Sequence, residues 1–210
     1  MRFYPLGLLL VVGCIQLDDN YDEDNVTKGV HETDTGFSDT VFNPGNNDSG
    51  GGNAAQAEAC HPDIEGWADS WATWEQEVVG LVNEERASGA DCGTYGSYPA
   101  AGPVEMNEDL RCAARYHSLW MAETDSFSHD SPGGDLGDDP WERIDSTEFS
   151  GQAVGENIAM GYGSAASVVQ GWMDSDGHCS NIMNADATLM GVGYFAGGSY
   201  GHYWTQNFGL

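Results

Sequence analysis

A glutamate, a histidine and a cysteine fall within one short span of this sequence, bracketed by glycines. The span opens with Gly155-Glu156-Asn157-Ile158-Ala159 and closes with Ser175-Asp176-Gly177-His178-Cys179-Ser180-Asn181-Ile182-Met183. Upstream, Phe127-Ser128-His129-Asp130 supplies a second histidine. Two histidines and a carboxylate are the minimum set for a divalent-metal or acid/base site. Glu156 could orient one histidine while the other acts as base, or a metal on His129 and His178 could activate water. His129, Glu156 and His178 are therefore the catalytic candidates, and His129 with His178 the candidate ligands of zinc or calcium. No cofactor is required. The nucleophile is the weak point: Ser175 lies near the site, and a disulfide at Cys179 would remove its thiolate. Neither His-Glu-x-x-His nor Gly-x-Ser-x-Gly occurs. The plainer alternative is a buried hydrogen-bonded network that fixes the central loops.

These residues need elements to hold them. Trp67 to Ser88 predicts a helix, with Trp71, Trp74, Val78, Leu81, Val82 and Glu85 recurring at three- and four-residue steps. Gly89 ends it. Asn107 is a suitable N-cap for a second helix, Glu108 to Glu123, with Leu110, Ala113, Ala114, His117, Trp120 and Met121 as its buried stripe. His117 reads as a core histidine satisfied by a backbone carbonyl, with a ligand role as the alternative. Asp125 to Pro140 is a loop carrying His129, and Pro140 to Ile144 forms one helical turn or two. Ser164 caps a helix that ends near Met173. Leu189 to Phe195 and Tyr200 to Phe208 read as strands joined at Gly197-Gly198-Ser199. Helices first and an antiparallel hairpin last make an α+β chain and argue against a doubly wound sheet.

The chain has 210 residues and a formal charge of -28, from 34 acids and 6 bases. Such a surface does not bind nucleic acid and is repelled by anionic headgroups, but it attracts cations and suits a saline habitat. Residues 1-13 read as a signal peptide: Arg2 precedes a short apolar run, Leu6 to Val12. That run is too short to span a bilayer. Val11-Val12-Gly13-Cys14 resembles a bacterial lipobox, which implies lipidation of Cys14. Residues 14-59 hold ten acids and one base among Asn, Gly, Ser and Thr, the composition of a disordered, self-repelling tether. The acidic run Asp18 to Asp24 lacks EF-hand spacing and reads as solvated charge. Residues 60-210 form the folded domain. Its cysteines, Cys60, Cys92, Cys112 and Cys179, suggest two disulfides, with three pairings open. Thiolate zinc binding is the alternative, but no Cys-x-x-Cys pair is present.

Seven segments in order carry a family likeness: Leu81-Val82-Asn83-Glu84-Glu85-Arg86-Ala87, His117, Phe127-Ser128-His129, the Gly155 and Gly177 motifs, Gly191-Val192-Gly193, and Tyr203-Trp204-Thr205-Gln206-Asn207-Phe208-Gly209. Together they resemble a CAP domain, the family of cysteine-rich secretory proteins, antigen 5 and pathogenesis-related 1 proteins, and its bacterial branch most. The likeness runs from about Trp71 to Leu210. It implies an α-β-α sandwich, a small antiparallel sheet between helical layers, with an open groove. Within that groove the first histidine and acid of the family fall on His129 and Glu156. The second acid position holds Ser175. The second histidine position holds Tyr203, with His202 one residue earlier and so on the opposite strand face. His178 matches the bacterial histidine. The implied groove set is His129, Glu156, Ser175, His178 and Tyr203, with Phe127, Trp172 and Trp204 either lining it or in the core. The likeness also implies Cys92–Cys179, leaving Cys60–Cys112. The expected protein is a monomer, exported and lipid-anchored through Cys14 to the bacterial cell envelope. Its groove would bind a sterol, a fatty chain, a peptide or a divalent metal. A hydrolase using the groove histidines and a non-catalytic structural domain are the alternatives.

Overall fold

In the computed structural model the described residues are 61–210. Expectations for the signal peptide, Cys14, the tether and Cys60 lie outside them. A 3-10 turn at Pro62–Ile64 leads to helix α1, Asp69–Ser88, which stops at Gly89 with φ of 75°. The helix starts two residues later than the sequence predicts. Trp67 stays outside it and donates its indole N–H to Glu75 Oε1 at 2.9 Å. The buried stripe also differs. Val78, Val79 and Val82 are buried as periodicity requires, but Glu75 and Arg86 complete the stripe, while Trp71, Trp74 and Leu81 are half-buried. Periodicity counts apolar residues, so two charges neutralised by tertiary partners escape it.

Beyond α1, strands β1 (Ala90–Asp91) and β2 (Ser97–Tyr98) form a short antiparallel pair. Strand β3, Glu105–Met106, precedes helix α2, Glu108–Thr124. The Asn107 side chain caps α2 by accepting from Leu110 N–H at 2.9 Å. Burial on α2 runs almost all round, from Leu110 to Leu119, including Arg111 and Arg115. Next come α3 (Pro140–Asp145), β4 (Ala153–Met160), α4 (Ala165–Met173), α5 (Asp176–Ile182), β5 (Leu189–Gly197) and β6 (Gly201–Gly209). Ser164 and Ser167 form a capping box at α4.

The expected hairpin is β5–β6, but it is the centre of a four-stranded sheet of order β3-β5-β6-β4. All its pairs are antiparallel except β3–β5, which is parallel. Strand β4 contains the Gly155-Glu156 motif and pairs Glu156 with Asn207 and Met160 with Tyr203. The sequence hides β4 because its central residues are buried on both faces, so no polar alternation marks it.

One sheet face presents Ile158, Tyr203 and Thr205 to α2. Gly191 and Gly193 lie beneath that helix, where a Cβ would run into the backbone at Arg111 and Arg115. The other face packs Met190, Val192, Tyr194, Trp204 and Phe208 against Val78, Val79 and Val82 of α1 and Val168, Val169 and Trp172 of α4. The result is the α-β-α sandwich. β3 covers only the start of β5; further along, Glu75 Oε1 accepts the Tyr194 N–H at 3.1 Å. Cys92 and Cys179 form a disulfide across 87 residues, as the family likeness implies. Cys112 is also disulfide-bonded, and the Cys60–Cys112 expectation lies outside the described residues. Among the described residues no helix is long and apolar enough to cross a membrane.

Candidate functional site

Glu156 is buried in β4, at the edge of the sheet. Its Oε1 meets His129 Nδ1 at 2.8 Å, and its Oε2 accepts from Arg143 Nη2 at 2.8 Å. Arg143 also donates to the His129 carbonyl at 2.9 Å and to Ser131 Oγ at 2.6 Å. One guanidinium thus holds both the carboxylate and the loop that carries the histidine. Asp139 makes this possible: its side chain caps α3 by accepting from the N–H groups of Trp141 and Glu142, each at 2.9 Å. Burial alone would raise the Glu156 pKa, but Arg143, with His117 and His129, holds it down to about 2. The carboxylate is therefore ionised at physiological pH.

His117 lies in the core of α2 with its Nε2 2.9 Å from the Ser128 carbonyl. It is the backbone-satisfied histidine that the sequence suggests, and it supports the loop one residue before His129. Burial lowers its pKa to about 3.

His178 differs from both. It sits in α5, only 3% exposed, and neither ring nitrogen has a hydrogen-bond partner among the described residues. Burial first, and then the charge on His129, lower its pKa to about 4. Near pH 7 it is a neutral imidazole with one donor and one acceptor unused.

Several restraints place α5 against β4. Asn181 Nδ2 donates to the Glu156 carbonyl at 3.3 Å and to Asn157 Oδ1 at 2.8 Å. Asn157 Nδ2 donates to the His178 carbonyl at 3.3 Å and to Gln206 Oε1 at 2.9 Å. Arg86 donates to the carbonyls of Gly102, Ile182, Asn184 and Ala187 at 2.6–2.9 Å, which fixes the end of α5. The Cys92–Cys179 bond ties the residue after His178 to the β1–β2 region.

The structure thus brings His129 to Glu156 directly, and the Asn157 and Asn181 hydrogen bonds place the helix carrying His178 against the same strand. Ser175 is half-exposed at the N-cap of α5 and makes no side-chain capping bond. Tyr203 lies elsewhere. It is buried beside Met121, Ala122 and Ile158, and its cross-strand partner Met160 is four residues from Glu156, about 13 Å along the strand. Its hydroxyl accepts the Tyr200 N–H at 3.4 Å. His202 faces the other side of the sheet, as its offset predicts, with Nδ1 2.7 Å from the Tyr194 hydroxyl. Trp172 and Trp204 are core residues, and Phe127 is half-buried. Cys179 is oxidised and offers no thiolate.

The residues sequence reasoning missed are Arg143, Arg86, Asn157, Asn181 and Gln206. Base scarcity was the available signal. The described residues contain four arginines and no lysine, and all four arginines are buried. In so acidic a domain, each arginine marks an internal partner.

Glu156 is engaged through both oxygens, so in the expected His129–His178 metal pair it would orient His129 through Nδ1 and would not itself be a ligand. Among the described residues, the group of three ligand atoms lying mutually within 4.8 Å is a different one: His61, Asp63 and Asp135.

Residues 79–208 match the model of the cysteine-rich secretory protein family, CAP. Two Bacillus subtilis (strain 168) proteins are similar to this chain. The uncharacterized protein YkwD is 35% identical over 139 residues, covering 66% of this chain and 48% of the relative. The uncharacterized membrane protein YlbC is 31% identical over 145 residues, covering 69% and 36%. This chain therefore spans half or less of each of these relatives. Among solved structures, an extracellular protein containing a SCP domain from Bacillus anthracis str. Ames matches with TM-score 0.56 and 28% identity, over 70% of this chain and 43% of that one. An outer surface protein from Borrelia burgdorferi shares the fold at TM-score 0.50 and 18% identity, over 67% of this chain and 92% of that one.

Proposed function

The chain belongs to the cysteine-rich secretory protein family, CAP, and on that footing we propose that it is an extracytoplasmic binding module that takes its ligand at His178. The observation carrying this reading is the buried imidazole whose two nitrogens are unused. A buried polar group without a partner costs on the order of 1–3 kcal/mol, which a ligand group can recover. A neutral imidazole offers a donor on one ring nitrogen and an acceptor on the other, pointing away from each other, and either can meet a hydroxyl or an amide. His129, held by Glu156 and backed by Arg143, is a second polar contact of fixed orientation. A sterol, a fatty chain or a peptide each combines such a polar group with apolar surface.

The location follows from Val11-Val12-Gly13-Cys14, which supports lipidation of Cys14. The Bacillus anthracis relative is described as extracellular, which is in keeping with export.

Imidazole nitrogen NMR on the full chain tests the reading, with palmitate, cholesterol sulfate and a capped trialanine peptide as probes. A saturable shift of the His178 signals with one probe, absent in His178→Ala, is expected. Silence of His178 toward all three overturns it. The His129–Glu156 contact favours one rival, a hydrolase in which the carboxylate orients the imidazole base. Probe ester hydrolysis lost in Glu156→Gln, with His178 silent, would establish that rival instead.

A further inference from the structure

A second constellation lies apart from the residues just described. His61 N-caps the turn that opens the described chain, Asp63 stands two residues later, and Asp135 comes from the loop between α2 and α3. One ligand atom from each lies within 4.8 Å of the other two. We propose that His61, Asp63 and Asp135 bind a zinc-class divalent cation that clamps the start of the domain onto the 131–138 loop.

The spacing supports an ion better than it supports direct pairing. His61 Nε2 stands 3.7 Å from Asp135 Oδ2, and Nδ1 stands 3.6 Å from Asp63 Oδ2. Both separations exceed the roughly 3.2 Å limit of a good N–H···O bond. Neighbouring ligands on a tetrahedral ion with bonds of about 2.0–2.2 Å are separated by about 3.3–3.6 Å, which the Nε2–Asp135 separation of 3.7 Å approaches, and Asp63 offers its oxygen within 4.8 Å of the other two ligand atoms. The imidazole also selects the metal class, since calcium and magnesium prefer all-oxygen sets.

The histidine is built in. It is 9% exposed, and its Nε2 has no hydrogen-bond partner among the described residues while facing Asp135. Its ring packs edge-on against Tyr116, centroids 4.7 Å apart. The same Tyr116 hydroxyl accepts the Asp135 N–H at 2.6 Å, so one side chain positions two ligands. The carboxylates, by contrast, are 60% and 78% exposed and open to an arriving ion. Without an ion, Nδ1 accepts the Asp63 N–H at 3.2 Å. A cation on Nε2 requires the ring proton on Nδ1, so the Asp63 N–H bond to that nitrogen is given up when the ion binds. The described surface offers no lysine or arginine to compete, since all four arginines are buried.

The clamp has a route to the residues around Glu156. Ser131, at the start of the same loop, donates its N–H to the Asp138 carbonyl at 2.7 Å, and its hydroxyl accepts from Arg143 Nη1 at 2.6 Å. Arg143 in turn holds Glu156.

Calorimetric titration of the full chain with zinc chloride, and separately calcium chloride, tests the proposal. One zinc site is expected, weakened at least tenfold in Asp135→Asn and in Asp63→Asn, unchanged in the double variant His129→Ala, His178→Ala, and at least tenfold weaker for calcium. Both Asp side chains are largely exposed, so the variants retain the fold, and zinc should raise the melting temperature of the parent protein but not of Asp135→Asn. Absence of zinc binding, binding indifferent to both Asp variants, or binding lost only in the histidine double variant overturns it. The last result would place the metal at the His129–His178 pair, where it would compete with the ligand proposed at His178.

Discussion

At the residue scale, two buried histidines govern the acid limb of stability. His117 and His178 have folded pKa values of about 3 and about 4, against 6.5 for an exposed imidazole. Below pH 6.5 the unfolded chain binds these protons and the folded chain does not, so stability falls as pH drops toward 4. Each proton contributes about 1.4 kcal/mol per pH unit across that window. Glu156 works lower down. Its folded pKa of about 2 lies beneath the ordinary 4.5, so the stability it contributes is complete above pH 4.5 and is lost on descent toward 2. His117→Gln retains an amide donor for the Ser128 carbonyl and removes one titrating group. Urea unfolding between pH 4.5 and 6.5 should show its slope against pH reduced by about 1.4 kcal/mol per unit relative to the parent. An unchanged slope would mean that His117 is charged in the folded protein.

At the element scale, α2 lies so close to the sheet that side chains are excluded at positions 191 and 193 of β5. Gly193 faces the backbone at Ala114 and Arg115, and a methyl group there has no room. Gly193→Ala should therefore destabilise by about 1–3 kcal/mol or more, since α2 must lift from the sheet. Gly80, in the middle of α1, has nothing within 4 Å of an added Cβ. Gly80→Ala should stabilise by about 0.5–1 kcal/mol through helix propensity alone. Thermal melts of the two variants check the pair, and equal shifts would contradict this packing. The ion cluster on the same helix acts similarly. Arg111 and Arg115 converge on Glu75 at 2.7 Å each, tying α2 to α1 while Glu75 also seals the open edge of β5.

At the scale of the whole molecule, charge is segregated. Carboxylates dominate the surface of the described domain and its arginines are internal, each bound to a carboxylate or to carbonyls. The net charge of -28 opposes compaction at low ionic strength and favours cations at the surface. A surface of this sign is repelled by anionic membranes, and the proposed lipid on Cys14 is what would hold the protein there. Cys14→Ser expressed in a bacterial host should move the protein from the membrane to the soluble fraction. Membrane association that persists in this variant would defeat the lipoprotein reading.

Helix ends and the terminal hairpin were legible because their signals are local. Asn107 and Ser164 cap where their side chains predict, and the glycines around Ser199 turn the chain between two aromatic-rich strands. The Cys92–Cys179 bond and the His129–Glu156 pairing were legible through the order of motifs, since a family likeness carries spatial information that spacing does not. Strand β4 was not legible, because burial on both faces erases the period of two. Arg143 and Glu75 were not, because a buried charge looks like a surface charge until its partner is known. The removal of Tyr203 from the neighbourhood of Glu156 was decided by register, which pairs it with Met160. His178 shows the division most plainly: its residue type and motif come from the chain itself, whereas its burial without a partner exists only after α5 has folded onto the edge of the sheet.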